Sequence, residues 1–245
     1  MANKFFTPGE QRAARVDALF ARIAPRYDLI NDLQSFGLHR HWKRRLLGLA
    51  RVQPGERVLD LCCGTGDVTL AFAARGARSC GLDFNAPMLA VAARRAAARP
   101  PGTGHPPRWV RGDALRLPFA DAQFDVVAIS YGLRNLADFA GGLREMLRVT
   151  RPGGRLLVLD FGKPDHALWR GLYFAYLRTF VPLLGKIFCG DAATHGYILE
   201  SLKNYPGQRA VAARLEALGC VNGKLIHLLG GMMSLNYAEK PGRSV

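Results

Sequence analysis

Val58-Leu-Asp60-Leu-Cys-Cys-Gly64-Thr65-Gly66-Asp67 is a short apolar run that enters a glycine turn and leaves it on an acidic residue. Gly64 and Gly66 let the chain turn tightly between a strand and a helix, and they let a ligand come close to the backbone. A dinucleotide fingerprint wants a third glycine at position 69 and a helix N-terminus left clear for pyrophosphate. Thr69 and Asp67 stand there instead. A carboxylate at that end repels phosphate, so the turn suits a ligand that presents none; a sulfonium and an ammonium group fit better.

Outward from this turn the chain alternates between short apolar runs and helical stretches. Val68 to Arg75 reads as a helix, Ser79-Cys-Gly-Leu-Asp83-Phe as a second strand, and Ala86 to about Ala98 as a helix. Trp109-Val-Arg-Gly-Asp113 is a third strand. Phe124-Asp-Val-Val-Ala-Ile-Ser130 is a fourth, apolar enough to be covered on both faces. Asp138 to Thr150 is helical, Pro152-Gly-Gly a turn, and Arg155-Leu-Leu-Val-Leu-Asp160-Phe a fifth strand. A helix near 207–218 and two strands near 220–227 and 231–238 follow. Strand alternating with helix gives parallel βαβ units and an α/β sheet with helices on both faces. Residues 10–50 read as helical, interrupted by Pro25, with a second helix from about Trp42 to Ala50. An aromatic-rich stretch at about 166–205 breaks the rhythm.

Asp60, Asp83 and Asp113 each fall at the C-terminal end of a strand, the edge where open α/β sheets bind ligands. Asp83 lies 17 residues after Gly66, where a carboxylate accepts hydrogen bonds from two ribose hydroxyls. At Asp113 a carboxylate can take an adenine amino group.

Composition bounds the rest. The 245 residues, 49% of them apolar, can bury one sizeable core. The apolar region Leu168 to Cys189 is cut by Arg170, Arg178 and Lys186, leaving pieces far shorter than the roughly 20 residues of a membrane helix. Met1 to Pro8 holds no apolar signal core, so the expected location is the cytoplasm, with a peripheral contact at the inner face of a membrane left open. Cys62, Cys63, Cys80, Cys189 and Cys220 form no C-x-x-C pair and no zinc spacing, so they read as small buried hydrophobes and no metal is expected. The net charge of +15 is carried by 27 Arg and only 7 Lys, a bias of the whole chain as much as a binding surface. Its densest cluster is Arg40, Lys43, Arg44 and Arg45. No RNA-binding module is appended, so a nucleic-acid partner is not expected.

Several motifs carry a resemblance. Val58-Leu-Asp-Leu-x-x-Gly-Thr-Gly-Asp67, Gly81-Leu-Asp83, Gly112-Asp113-Ala114 and Arg151-Pro-Gly-Gly resemble the motifs of class I S-adenosylmethionine-dependent methyltransferases. Phe20-Ala-Arg-Ile-Ala-Pro-Arg-Tyr27-Asp28-Leu-Ile-Asn31, Ser35-Phe-Gly-Leu-His39-Arg40-x-Trp42 and Ser130-Tyr-Gly-Leu-Arg134-Asn135 resemble one subfamily, the ubiquinone/menaquinone biosynthesis C-methyltransferases. So does Tyr197-x-x-x-Glu-Ser201 followed by Pro206. The resemblance spans about residues 17 to 237. Asp160, where the family usually has Glu, is a departure, and so is Cys62 for the more frequent Ala.

The resemblance implies a Rossmann-like class I fold with a seven-stranded, mostly parallel sheet. It implies an N-terminal helical lid over residues 1–52, a methyltransferase domain over 53–245, and a helical insertion after the fifth strand. It implies that Thr65, Asp83, Asp113 with Ala114, and Ser130 contact S-adenosylmethionine, beside the Asp60, Gly64 and Gly66 of the turn. The implied acceptor is a polyprenylated quinol, demethylmenaquinol ahead of the ubiquinone-precursor benzoquinol. Another small-molecule or lipid acceptor, or an RNA, is the competing reading.

Methylating a ring carbon requires aligned reactants, a base for a ring hydroxyl, and a donor or cation for the oxygen that becomes phenolate-like. Arg134 and Asn135, just past the fourth strand, are candidates to hold and orient that oxygen; the alternative is a structural Arg134 paired with Asp138. Tyr27 and Asp28 are catalytic candidates on the lid, or else simply satisfy its helix end. His39 and His41 are candidate bases, with a structural role as the alternative. The surplus apolar bulk of 168–189 suits a groove for a polyprenyl tail or a transient membrane contact, beyond one face packed on the sheet. The oligomeric state is open, a homodimer included.

Overall fold

The computed structural model describes residues 11–99, 105–189 and 192–242. The strands are β1 (Arg57–Leu61), β2 (Arg78–Asp83), β3 (Arg108–Arg111), β4 (Phe124–Ser130), β5 (Thr150–Phe161), β6 (Val221–Leu228) and β7 (Met233–Glu239). They form one sheet in the order β3-β2-β1-β4-β5-β7-β6. The five strands from β3 to β5 are parallel, and β7 enters antiparallel between β5 and β6.

The helices are α1 (Gln11–Ile23), α2 (Tyr27–Ser35), α3 (Leu38–Ala50), α4 (Asp67–Ala73), α5 (Ala86–Ala97), α6 (Phe139–Val149), α7 (Ala167–Cys189), α8 (Ala192–Asn204) and α9 (Gln208–Ala217). The central strands carry unbroken apolar runs, Val126 to Ile129 of β4 and Leu156 to Leu159 of β5, because successive side chains go to opposite covered faces. Leu59, Val127 and Leu156 join a core cluster with residues of α6 to α9. Val58, Val126 and Leu157 join another with α3 and α4. The strand order reverses between β1 and its neighbours β2 and β4, which is the crevice where such sheets bind ligands.

Three boundaries depart from expectation. The helix foreseen from Trp42 begins at Leu38. The chain breaks before it because Phe36 and Gly37 both take left-handed backbone, at φ 50° and 74°. Trp42, Leu46, Leu47 and Ala50 of α3, inside the segment 1–52 foreseen as a lid, are buried in the sheet's own core; residues 1–10 lie outside the described residues. Pro152-Gly-Gly, foreseen as a turn, lies inside β5 at a shift of register between Phe124 and Val126 of its partner strand. Among the described residues no helix is long and apolar enough to cross a membrane.

Candidate active site

The β1–α4 turn closes on the second strand. Gly64 takes φ 54° and Gly66 φ 84°, and a Cβ on Gly66 would meet the Trp109 ring at 2.6 Å, so no other residue fits there without a shift. The Gly64 N–H donates to Asp83 Oδ2 at 2.8 Å, and Asp83 Oδ1 accepts from the Asn85 N–H at 2.8 Å. Asn85 caps α5 by accepting from Met88 N–H at 2.9 Å, and its amide donates to Asp17 of α1. One carboxylate thus ties two ligand-facing loops, and each of its oxygens keeps a lone pair for a further donor. Burial raises the Asp83 carboxyl above the usual range, with those backbone bonds pulling the other way.

Around this carboxylate lies a cavity of about 900 Å³, mouth included, of the size that takes a small ligand. Gly64, Asp83, Asp113, Ala114, Ser130 and Asn135 line it, and Phe20 and Tyr27 cover it. Ser130 Oγ is buried there with no hydrogen-bond partner among the described residues. Asp113 stands two residues past the end of β3, not in it, and its Oδ1 accepts from the Leu115 N–H at 2.8 Å.

Three residues assigned to this ligand face elsewhere. Asp60 is 1% exposed and accepts from the Thr69 hydroxyl at 2.6 Å, so it braces the turn from beneath. Thr65 is 3% exposed and its hydroxyl donates to Asp28 Oδ1 at 2.7 Å. Gly66 packs against Trp109 and does not line the cavity. The turn residues that point inward at a strand end are indistinguishable in sequence from those that point out.

Asp28, weighed as catalytic, likewise lines neither this cavity nor the one described next. Its other oxygen accepts from Arg95 Nη1 at 2.9 Å, the same atom donates to Thr65 O at 2.9 Å, and Arg95 Nη2 pairs with Asp67. Lys43 Nζ reaches Asp67 Oδ2 at 2.8 Å. Burial opposes ionisation of Asp67, but Lys43 and Arg95 overcome it and hold the carboxyl down at about 2. This network fastens α2 and α3 to the start of α4 and to α5; Arg95 was the member with no signal in the sequence.

A second cavity of about 920 Å³, mouth included, adjoins the first and shares Phe20, Tyr27 and Tyr131 with it. Its walls are mostly apolar and aromatic, among them Trp42, Phe161, Tyr173, Tyr176 and Met233, with Arg134 and His39 as charged or titratable members. Arg134 is 6% exposed. Its Nη1 donates to Asp160 Oδ1 at 2.7 Å and to Tyr131 O at 2.6 Å, and its guanidinium lies 4.5 Å from the Phe161 ring centre. The partner is therefore Asp160 on β5 and not Asp138, which pairs with Arg144 at 3.1 Å. Burial lowers the Arg134 pKa, but Asp160 more than reverses this and the net shift is upward, so the side chain stays a cation. Asn135 faces the first cavity, its amide donating to Tyr131 O at 3.2 Å and its carbonyl accepting from Tyr197 at 3.1 Å. Tyr131, the partition between the cavities, sits at φ 60°, an unusual conformation for an aromatic residue and one that clusters at functional sites.

Asp60 gives a prediction in pH. Burial pushes its carboxyl up to about 7 from 3.8. Between those values the folded chain keeps a proton that the unfolded chain has released, so stability falls as pH rises, by up to about 1.4 kcal/mol per unit. Asp60→Asn keeps the shape and the Thr69 bond but cannot titrate. Urea denaturation is expected to show the variant gaining on the wild type from about pH 5 to pH 7; parallel curves would show that Asp60 does not titrate there.

The cradle fits a nucleoside ligand bearing a sulfonium: a buried carboxylate with free lone pairs, a bare glycine backbone, an orphaned Ser130 hydroxyl and a turn whose N-terminus is already occupied by Asp67. An open sheet of this order with that cradle at its crossover defines a class I S-adenosylmethionine-dependent methyltransferase. Among the described residues no group of three or more His, Cys, Asp or Glu side chains is arranged to hold a metal. The chain belongs to the ubiE/COQ5 methyltransferase family, whose model matches residues 9–240. It is 41% identical over 237 residues to the ubiquinone/menaquinone biosynthesis C-methyltransferase UbiE of Azotobacter vinelandii, covering 96% of this chain and 93% of that protein. It is 40% identical over 232 residues to the demethylmenaquinone methyltransferase of Mycolicibacterium gilvum, covering 95% and 97%. A solved S-adenosylmethionine-dependent methyltransferase from Aquifex aeolicus matches with a TM-score of 0.58 over 80% of this chain and 88% of that one; at 16% identity the likeness shows the fold alone.

Proposed function

We propose that this chain methylates a ring carbon of a polyprenylated quinol, demethylmenaquinol first and the ubiquinone-precursor benzoquinol second. The observation that carries the reading is the pair of adjoining cavities with three shared aromatic walls. The first holds the donor through Asp83, Gly64, Asp113 with Ala114, and Ser130. The second takes a flat aromatic ring against Tyr131 and Arg134. When bound, the donor supplies an electrophilic methyl group on sulfur. The protein supplies alignment and exclusion of water, for which α1 and α2 are the cover and the Asp28–Thr65–Arg95 network the latch. Arg134, fixed by Asp160, stabilises the ring oxygen as it gains charge. Burial pushes the Tyr27 phenol up to about 12, so Tyr27 stays protonated and acts as a hydrogen-bond donor. The quinone profile of a deletion strain, read by mass spectrometry, tests the acceptor. Accumulated demethylmenaquinone is expected, and an unchanged profile overturns the reading.

The polyprenyl tail and the membrane meet at one surface in this reading. Tyr176 and Val181 of α7 line the second cavity, while Leu172, Phe180 and Leu183 of the same helix are exposed. Phe36, 71% exposed, stacks on Phe180 at 6.1 Å. Arg44, Arg45 and Arg178 are exposed as well. Trp169, by contrast, is tied to Leu229 O and is not part of the cavity. An apolar patch with cations suits reversible attachment to an anionic leaflet, about 1 kcal/mol per basic residue near the surface. Sedimentation with anionic vesicles is expected to show binding that falls as salt rises and is lost in the Phe36→Ser, Phe180→Ser double variant. No binding even at low salt would refute the membrane contact.

A further inference from the structure

The second cavity contains an arrangement that the chemistry above leaves unused. His39, at the start of α3, is 3% exposed and lines the cavity. Its Nε2 lies 2.8 Å from Asp32 Oδ1 on α2. Asp32 also accepts from Arg40 Nε at 2.8 Å and Nη2 at 2.6 Å, and this pairing holds its carboxyl well below the usual carboxylate range. An ionised carboxylate can only accept, so the proton of a neutral imidazole is on Nε2 and the lone pair is on Nδ1. That Nδ1 is buried, and among the described residues no group bonds it. Gln34 Nε2 and the Tyr131 hydroxyl, on residues lining the same cavity, are buried without partners among the described residues. Buried polar atoms are rarely left unpaired, and here an acceptor and neighbouring donors all lie around one space. A ring bearing hydroxyl oxygens satisfies them together.

We propose that His39 Nδ1 is the catalytic base that takes the ring hydroxyl proton, with Asp32 as its positioning residue. The assignment rests on the quinol reading above. The O–H bond breaks toward Nδ1 and the oxygen's electron pair moves into the ring. The adjacent ring carbon forms the new C–C bond as the methyl–sulfur bond breaks with its pair left on sulfur. That carbon then loses its hydrogen to water as a proton, and the ring oxygen takes back the proton held by His39, which restores the quinol. No oxidant or reductant is needed.

The surroundings keep the imidazole ready to accept. Burial lowers its pKa from 6.5, the Asp32 bond opposes this, and Lys43 on the same helix adds to the lowering; Asp67 at the start of α4 raises it slightly. The other titratable groups facing the cavity are Tyr27, Tyr131, Tyr173, Tyr176 and Tyr197, with Arg134 held by Asp160. His41, the other histidine candidate, is exposed and does not line the cavity.

The test uses His39→Gln in the full chain with a short-tailed demethylmenaquinol. Gln places an amide N–H where Nε2 donates to Asp32 but offers no base. Turnover is expected to fall on the order of 100- to 1,000-fold. KM and the calorimetric Kd for S-adenosylmethionine should stay within about threefold, as for a group acting only in the chemical step. The acid limb of the wild-type kcat/KM–pH profile, which reports the free enzyme, should vanish. NMR titration of histidine-labelled apoprotein should give a His39 pKa below 6.5 that matches that limb. Asp32→Asn should lower it further and move the limb with it, which a purely structural histidine would not do. If His39→Gln turns over like the wild type, or if Asp32→Asn leaves the limb in place, the base is elsewhere. Absence of wild-type turnover on the quinol would overturn the quinol reading itself, and this assignment with it.

Discussion

Asp160→Ala is expected to destabilise the fold by about 3–5 kcal/mol, the cost of leaving a buried charge uncompensated. Asp160 is 1% exposed and serves Arg134 twice, accepting from its Nη1 at 2.7 Å and its backbone N–H at 3.1 Å, besides the Phe161 N–H at 2.8 Å. Without the carboxylate, Arg134 keeps the Tyr131 carbonyl and the Phe161 ring but loses its counter-charge at a buried position. For a chain of this size the loss amounts to roughly 10 °C in Tm. Turnover should fall as well, because the loop that carries Arg134 and Asn135 loses its anchor. Two controls separate charge from shape. Asp160→Asn keeps the shape and one acceptor and should lose less stability. Adding Arg134→Met to Asp160→Ala removes the cation that lost its counter-charge and should recover part of the stability while activity stays lost. Denaturant unfolding that shows Asp160→Ala within about 1 kcal/mol of wild type would mean the pair does not hold this loop, since exposed pairs are worth no more than that.

The parts of this molecule that were legible in sequence are those governed by short-range periodicity. Uninterrupted apolar runs such as Val126 to Ile129, alternating with helical spacing, give a two-faced parallel sheet because each residue type matches its local surroundings. Asp83 was placed in sequence for a related reason: it is the last residue of β2, and that edge of an open sheet is where ligands bind. The contacts that were not legible share a different cause. Asp60 and Thr65 flank the same turn as Gly64, yet Asp60 accepts from Thr69 and Thr65 donates to Asp28, partners that only the fold brings near. The partner of Arg134 is 26 residues away on the adjacent strand, a pairing that depends on sheet order and register. His39 meets Asp32 only because Phe36 and Gly37 reverse the chain between two helices that periodicity merges into one region. Gly37 directly after a helical stretch was the available signal, since left-handed backbone at a helix end favours glycine. Arg95 and Tyr131 carried no such mark: one is an arginine on an alanine-rich helix, the other an aromatic residue whose positive φ appears only in the fold.

Asp83→Ala is expected to weaken S-adenosylmethionine binding by about 2–4 kcal/mol, the cost of buried hydroxyls left without an acceptor. The structure complicates this simple loss. Asp83 also receives the Gly64 and Asn85 N–H groups at 2.8 Å each, so the variant releases both loops as well as the ligand. Asp83→Asn is no gentler control, because an amide would turn an N–H toward one of those donors. The two effects separate by changing the ligand instead of the protein. In the wild type, an S-adenosylhomocysteine analogue lacking both ribose hydroxyls should bind far more weakly than S-adenosylhomocysteine itself. In Asp83→Ala the two should bind alike, because the group that distinguished them is gone. A variant whose loops have merely loosened would weaken both ligands and keep the difference between them. Calorimetry with the two ligands and the two proteins therefore closes a cycle whose coupling energy belongs to the carboxylate and the hydroxyls alone. A coupling near zero would remove Asp83 from the ribose and leave it as the brace of the Gly64 and Asn85 loops.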